Sequence, residues 1–272
     1  MKYGSRGHLR SNICRNGWEA ILLIEIIQSE WYRIRKSRLL YVSLSISAFF
    51  MFALVLTYHH DSVRTPSLDG FTQFLFSDYS LIYPLVLFLS VYFTDDYKQQ
   101  LHTVLFAKGV RRSSFFGGKL LAAWIISLLY VTINVILAFA MILTAWAKIP
   151  NLEYTIGSIL GFLSLQILCF IAYASFIWLT SCLLRSRILV LCVNYSLLVI
   201  LYLYLTRMSE ALDLSYSLYR YWIVGLSTDM RIAAVAEQSL PFLLTIAAYL
   251  ILTIGISWAI YRRTDFKKRE RR

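Results

Sequence analysis

Apolar residues in this chain come in long unbroken runs rather than in alternation with polar ones. A helix needs about 20 mostly apolar residues to cross a hydrocarbon core of roughly 30 Å. Six stretches meet that length: 39–58, 74–94, 120–147, 156–184, 188–205 and 240–261. The third and fourth are long enough to tilt or to project beyond the bilayer. The second contains Asp78 and Pro84, so its start can shift by several residues. None of the runs has the period-two pattern of a barrel strand. The pattern predicts an all-α polytopic membrane protein with six transmembrane helices.

Composition agrees. Of 272 residues, 58% are hydrophobic and 15% charged, against about 45–50% and 25% in soluble domains. So few charges cannot cover so large a core, which excludes an ordinary cytosolic enzyme, a disordered tail protein and a secreted disulfide scaffold. The net charge of +12 changes the picture only once it is placed along the chain. Of the 27 Lys and Arg, 22 fall in residues 1–38, in the connection 95–119, at Arg185 and Arg187, and in the tail 262–272. The other side receives Arg64, Lys148, Arg207, Arg220 and Arg231. The asymmetry puts both termini in the cytoplasm, as an even number of spans requires. The basic tail then reads as a stop-transfer and lipid-facing anchor and not as a nucleic-acid patch. Because 38 largely polar residues precede the first span, that span is expected to be retained rather than cleaved as a leader.

The six runs carry essentially no ionisable side chains in their interiors. Ion-coupled carriers usually hold such groups in the bundle, and a membrane hydrolase needs a convergent nucleophile, base or metal ligand set. Asn134, Gln166 and Asn194 are the strongest polar groups within the runs. Interhelical hydrogen bonding is the first expectation for them, and lining a substrate path the second. Ser43 with Ser47, and Gly157 with Gly161, stand four apart and permit close helix approach. Cys14, Cys169, Cys182 and Cys192 match no zinc spacing and suit no extracellular disulfide. The pair His59-His60 would point about 100° apart on a helix and makes a poor chelator. Gly117-Gly118-Lys119-Leu120 resembles part of a phosphate loop but lacks the Ser or Thr after Lys and the earlier Gly. No nucleotide-hydrolysing machinery is therefore expected in this chain, and no cofactor or metal.

Two cytoplasmic segments hold more information. Residues 17–40 place Trp18, Ile21, Leu22, Ile26, Trp31 and Ile34 near helical spacing, with Glu19, Glu30, Arg33 and Lys36 elsewhere. This predicts an interfacial helix leading into the first span. In residues 95–119, Tyr97, Leu101, Val104 and Leu105 space as one face of a short helix. Gly109 would stop it, and residues 110–119 would begin a second amphipathic piece. Such a helix can sit in a cleft of a cytoplasmic partner, with Lys108, Arg111 and Arg112 on the rim.

By its architecture the whole chain, and most sharply this segment, resembles the membrane subunits of ABC-2-type ABC transporters, especially the small six-span permeases of bacterial peptide-antibiotic (lantibiotic) export and immunity systems. In that family the segment opens on an acidic residue and passes through Gly-Thr and a Leu-rich helix. It closes on a Pro-Val-Ser-Arg-like turn and a Gly-Lys. Here Asp96 opens it, Val104-Leu105-Phe106 fill the helix, Gly109-Val110-Arg111-Arg112 stand at the turn, and Gly118-Lys119 close it. Gln100-Leu101 replace Gly-Thr, and Gly109 replaces the Pro.

The resemblance implies a coupling helix docking on a separate ATP-binding subunit, with ATP and Mg held by that subunit. The coupling set would be Asp96, Leu101, Leu105, Lys108, Gly109, Arg111, Arg112 and Lys119, with Arg185 and Arg187 as a smaller second contact. It further implies a connection over 206–239 that dips into the outer membrane face. Two such chains, a second copy or a homologous permease, would pair with two ATPase subunits in a bacterial cell membrane. Together they would export a hydrophobic or amphipathic compound such as an antimicrobial peptide, drug or lipid. A membrane scaffold or sensor holding a soluble regulator is the alternative, and an ion-coupled carrier a third.

Overall fold

The computed structural model describes residues 25–61, 81–98, 101–107, 110–146, 154–213 and 218–263, and these are helical almost throughout. Helix α1 covers 25–36, α2 Arg38–Asp61, α3 Tyr83–Lys98, α4 Leu101–Ala107 and α5 Arg112–Trp146. After these come α6 Ile156–Leu184, α7 Arg187–Ala211, a 3-10 turn Leu218–Tyr221, α8 Ile223–Asp229 and α9 Ile232–Arg263. Cys14, Lys108, Gly109, the first part of the interfacial stretch and the tail from 264 lie outside the described residues.

Among the described residues, four helices are long and apolar enough to cross a membrane: Arg112–Ala140, Ile156–Leu184, Arg187–Ala211 and Ser239–Arg263. In α2 the apolar stretch is shorter, Arg38–Ala53. Helix α3 carries the end of the second run, whose start lies outside the described residues. The piece expected to precede the third span is not separate: α5 runs unbroken from Arg112 through Gly117 and Gly118. No proline interrupts it, and Phe115 and Phe116 are buried there, which offsets the roughly 1 kcal/mol per residue that helical glycine costs.

Helix α6 is the centre of the bundle and touches α3, α5, α7, α8 and α9. Its Trp178 packs 4.7 Å from Phe93 of α3 and 5.9 Å from Phe116 of α5, centroid to centroid. The outer helices instead leave apolar side chains uncovered. Ile188, Ile200 and Tyr204 on α7, and Leu244, Ile251 and Leu252 on α9, are each more than half exposed. Water does not tolerate so continuous an apolar surface, whereas lipid or a second subunit does.

Polar side chains inside the bundle tie helices in pairs. On α2, Ser43 bonds the Tyr130 hydroxyl and Ser47 donates to Asn134 Oδ1 of α5 at 2.7 Å, two rungs one turn apart. Asn194 of α7 donates to Thr180 Oγ1 of α6 at 2.9 Å. Gln166 of α6 donates to the Ser227 carbonyl at 2.8 Å and accepts from its hydroxyl at 2.7 Å, fastening α8 against the bundle. Asn134, Gln166 and Asn194 are therefore buried structural links in this chain, with none on its surface. Gly157, by contrast, has no packing neighbour where a Cβ would stand.

The ends of α3, α6 and α9 and the beginnings of α2, α5 and α7 gather at one end of the bundle. Arg187 pairs with Asp95, and Arg112 donates to the Arg262 carbonyl at 3.2 Å. Among the described residues, Arg33, Arg112, Arg187 and Arg262 of the charge count meet there.

Candidate functional site

At this basic end the chain buries charge. Helix α1 supplies Glu30 and Arg33, three apart on one face, joined at 3.2 Å. The last turns of α3 supply Tyr92 and Asp96, again on one face. The third turn of α5 supplies Lys119. Arg33 Nη2 lies 2.8 Å from Asp96 Oδ1, Lys119 Nζ 2.5 Å from Asp96 Oδ2, and Lys119 Nζ 2.8 Å from Glu30 Oε2. The four ions form a closed ring of alternating sign with no net charge. The Tyr92 hydroxyl donates to Glu30, and Lys119 sits 4.7 Å from the Tyr92 ring and 5.6 Å from that of Phe115.

Asp96 and Lys119 are wholly buried, Glu30 nearly so, and only Arg33 reaches solvent. A lone ion in such a place costs several kcal/mol, and the ring is tolerable because each member has two partners of opposite sign. Burial by itself would lower the Arg33 pKa, but Asp96 and Glu30 outweigh it and hold it above its ordinary value. Packing supports the arrangement: a Cβ at Gly118 would come 2.6 Å from Ile26 Cγ2, so α1 lies close against α5.

Asp96 and Lys119 bound the segment between the second and third spans, so the ring clamps both ends of it to α1. Between them, α4 turns Leu101, Leu105 and Phe106 onto the chain's own core and leaves Val104 half exposed. Arg111 and Arg112 are exposed at the start of α5, and Arg112 lies 5.7 Å over the Phe106 ring. Beneath α6 the turn to α7 is two residues long. Arg185 caps α6 in the left-handed region, φ 53°, with its backbone N–H donating to Ser181. Arg187 pairs with Asp95 at the surface.

The structure thus divides the expected coupling residues. Asp96 and Lys119 meet inside the chain, Leu101 and Leu105 pack on it, and Arg111, Arg112, Arg185 and Arg187 reach its basic end. The helical spacing along residues 17–40 puts Glu30 on the polar side of the expected interfacial helix and Trp31 on the apolar side. The buried line is Ile26, Glu30 and Ile34, with Trp31 43% exposed. A carboxylate can occupy that line only because Lys119 meets it. The sequence signal was the Glu30–Arg33 spacing together with Asp96 and Lys119 at either end of one segment.

No protein of curated function matches the chain significantly. A family model described as ABC-2 family transporter protein matches residues 26–204, more than half the chain, from the Glu30 helix into α7. With its apolar helices and the clamped segment between α3 and α5, the chain belongs to the ABC-2 family of transporter proteins, a multi-pass membrane component of transport.

Proposed function

We propose that the chain is the permease subunit of an ATP-driven exporter, with six spans, both termini in the cytoplasm, and α4 with its flanking arginines as the coupling element. The observation that carries this reading is the ion ring. It closes the two ends of residues 96–119 on each other and on the interfacial helix, so a push on α4 reaches α1, α3 and α5 together. Arg111 and Arg112 offer the outward charge for an ATPase subunit, and Lys108, Gly109, Arg185 and Arg187 are assigned to the same coupling set. Asp96, Lys119, Leu101 and Leu105 hold the segment in position. ATP and Mg belong to the partner subunit.

Two chains, identical or homologous, would enclose the path between the uncovered apolar faces of their outer helices. Asn134, Gln166 and Asn194 would keep the helices behind that path in register. A path without fixed charge suits a hydrophobic or amphipathic substrate, such as an antimicrobial peptide, drug or lipid, in a bacterial cell membrane.

The test is hydrolysis by the complex isolated with its ATPase subunit. Arg111→Glu with Arg112→Glu should cut substrate-stimulated ATP hydrolysis at least about tenfold, because reversed charges across a contact cost several kcal/mol. The unfolding temperature of the permease should be unchanged. Full stimulation in a well-folded double variant would remove this segment from coupling. A different stable partner in place of an ATPase would favour a scaffold.

A further inference from the structure

A second feature of the basic end is a cavity of about 480 Å³ between α1, α3 and the start of α7. Its mouth carries Arg33, Lys36 and Arg187 against a single carboxylate, Asp95. Leu39 and Val91, both partly exposed, add apolar lining one turn further along α2 and α3, over the wholly buried Phe88. The volume falls in the range of small-ligand sites, and the lining is divided between apolar side chains and convergent charged ones.

The cations are not equally committed. Arg33 is locked into the ion ring. Arg187 is 43% exposed and holds Asp95 in a surface pair, an interaction worth about 0–1 kcal/mol and easily exchanged for a better anion. Lys36 stands 4.6 Å from the Tyr32 ring, and no carboxylate pairs with it among the described residues. A phosphate between Lys36 and Arg187 would gain two cations, one of them a planar fork suited to its oxygens.

The geometry points to a binding site for the phosphate headgroup of an anionic phospholipid, its acyl chain running along Leu39 and Val91. The polar mouth lies at the level of the α1–α2 junction, where an interfacial helix meets a span, and the walls follow the helices away from it. A free phosphate would use the mouth and leave the apolar walls idle. The lipid uses both. The site does not depend on which compound is transported, only on the chain lying in a membrane.

Native mass spectrometry of the detergent-solubilised protein, titrated with phosphatidylglycerol, phosphatidylcholine or inorganic phosphate, tests the assignment. Phosphatidylglycerol should be retained at least tenfold more tightly than phosphatidylcholine, and millimolar inorganic phosphate should not displace it. Lys36→Ala with Arg187→Ala should abolish that preference. Val91→Trp, which fills the cavity and spares its charges, should weaken retention as well, and it keeps the test open if the double variant misfolds. Equal retention of the two lipids, an unaffected pair of variants, or displacement by inorganic phosphate would each overturn the assignment.

Discussion

Lys119 is the residue on which the basic end turns. It is wholly buried, touches two carboxylates from two different helices, and lies over two aromatic rings. Removing one partner of a buried ion pair leaves an uncompensated charge and costs about 3–5 kcal/mol. Lys119→Met should therefore lower the unfolding free energy by about that amount, measured by denaturant titration in detergent. Asp96→Asn placed in the Lys119→Met background should add less than it does alone, because the lost contact is shared. A coupling of about 0.5–3 kcal/mol is expected, and strict additivity would dissolve the ring as a unit. Composition reveals the existence of these charges but not their burial. Asp96 and Lys119 sit one or two residues outside the apolar runs, where solvent is the ordinary expectation for an ion.

At the scale of elements, the short pieces are held by close approach where the long ones are held by periodicity. In α8, a Cβ on Gly225 would fall 2.0 Å from the Tyr219 carbonyl oxygen, backbone that cannot yield. Gly255 in the middle of α9 has no neighbour within 4 Å of that position. Gly225→Ala should cost about 1–3 kcal/mol and loosen the 218–229 connection, while Gly255→Ala should stabilise by up to about 1 kcal/mol. Thermal unfolding of the two variants side by side checks both signs, and a neutral Gly225→Ala would contradict the packing of α8. The long helices were legible because about 20 apolar residues in a row admit few alternatives. The 3-10 turn and α8 fall inside the connection 206–239, for which the resemblance implies only a dip into the outer membrane face. Their positions come from the two-way bond of Ser227 with Gln166, 61 residues away in the chain.

For the whole molecule, the distribution of buried and uncovered surface separates interior helices from outer ones. Helix α6 is surrounded, and α7 and α9 face outward along much of their length. Cys169 and Cys182 on α6 are buried, and Cys192 on α7 is exposed. A lipid-soluble maleimide applied to membranes should modify Cys192 and spare the other two, read peptide by peptide in a mass spectrometer. Labelling of Cys182 at the Cys192 rate would invert the assignment of inside and outside. The sequence by itself determined the helical membrane class, the long apolar helices α6, α7 and α9 and the uneven spread of basic residues along the chain, because hydropathy and charge are summed over many positions and survive local error. Only the tertiary structure decided that Glu30, Arg33, Asp96 and Lys119 close into one neutral ring. It also decided that Leu101 and Leu105 face inward and that a cationic cavity opens between α1, α3 and the start of α7. Those outcomes depend on which side chains from distant segments arrive within about 3 Å of one another, and no pattern along a single helix contains that information.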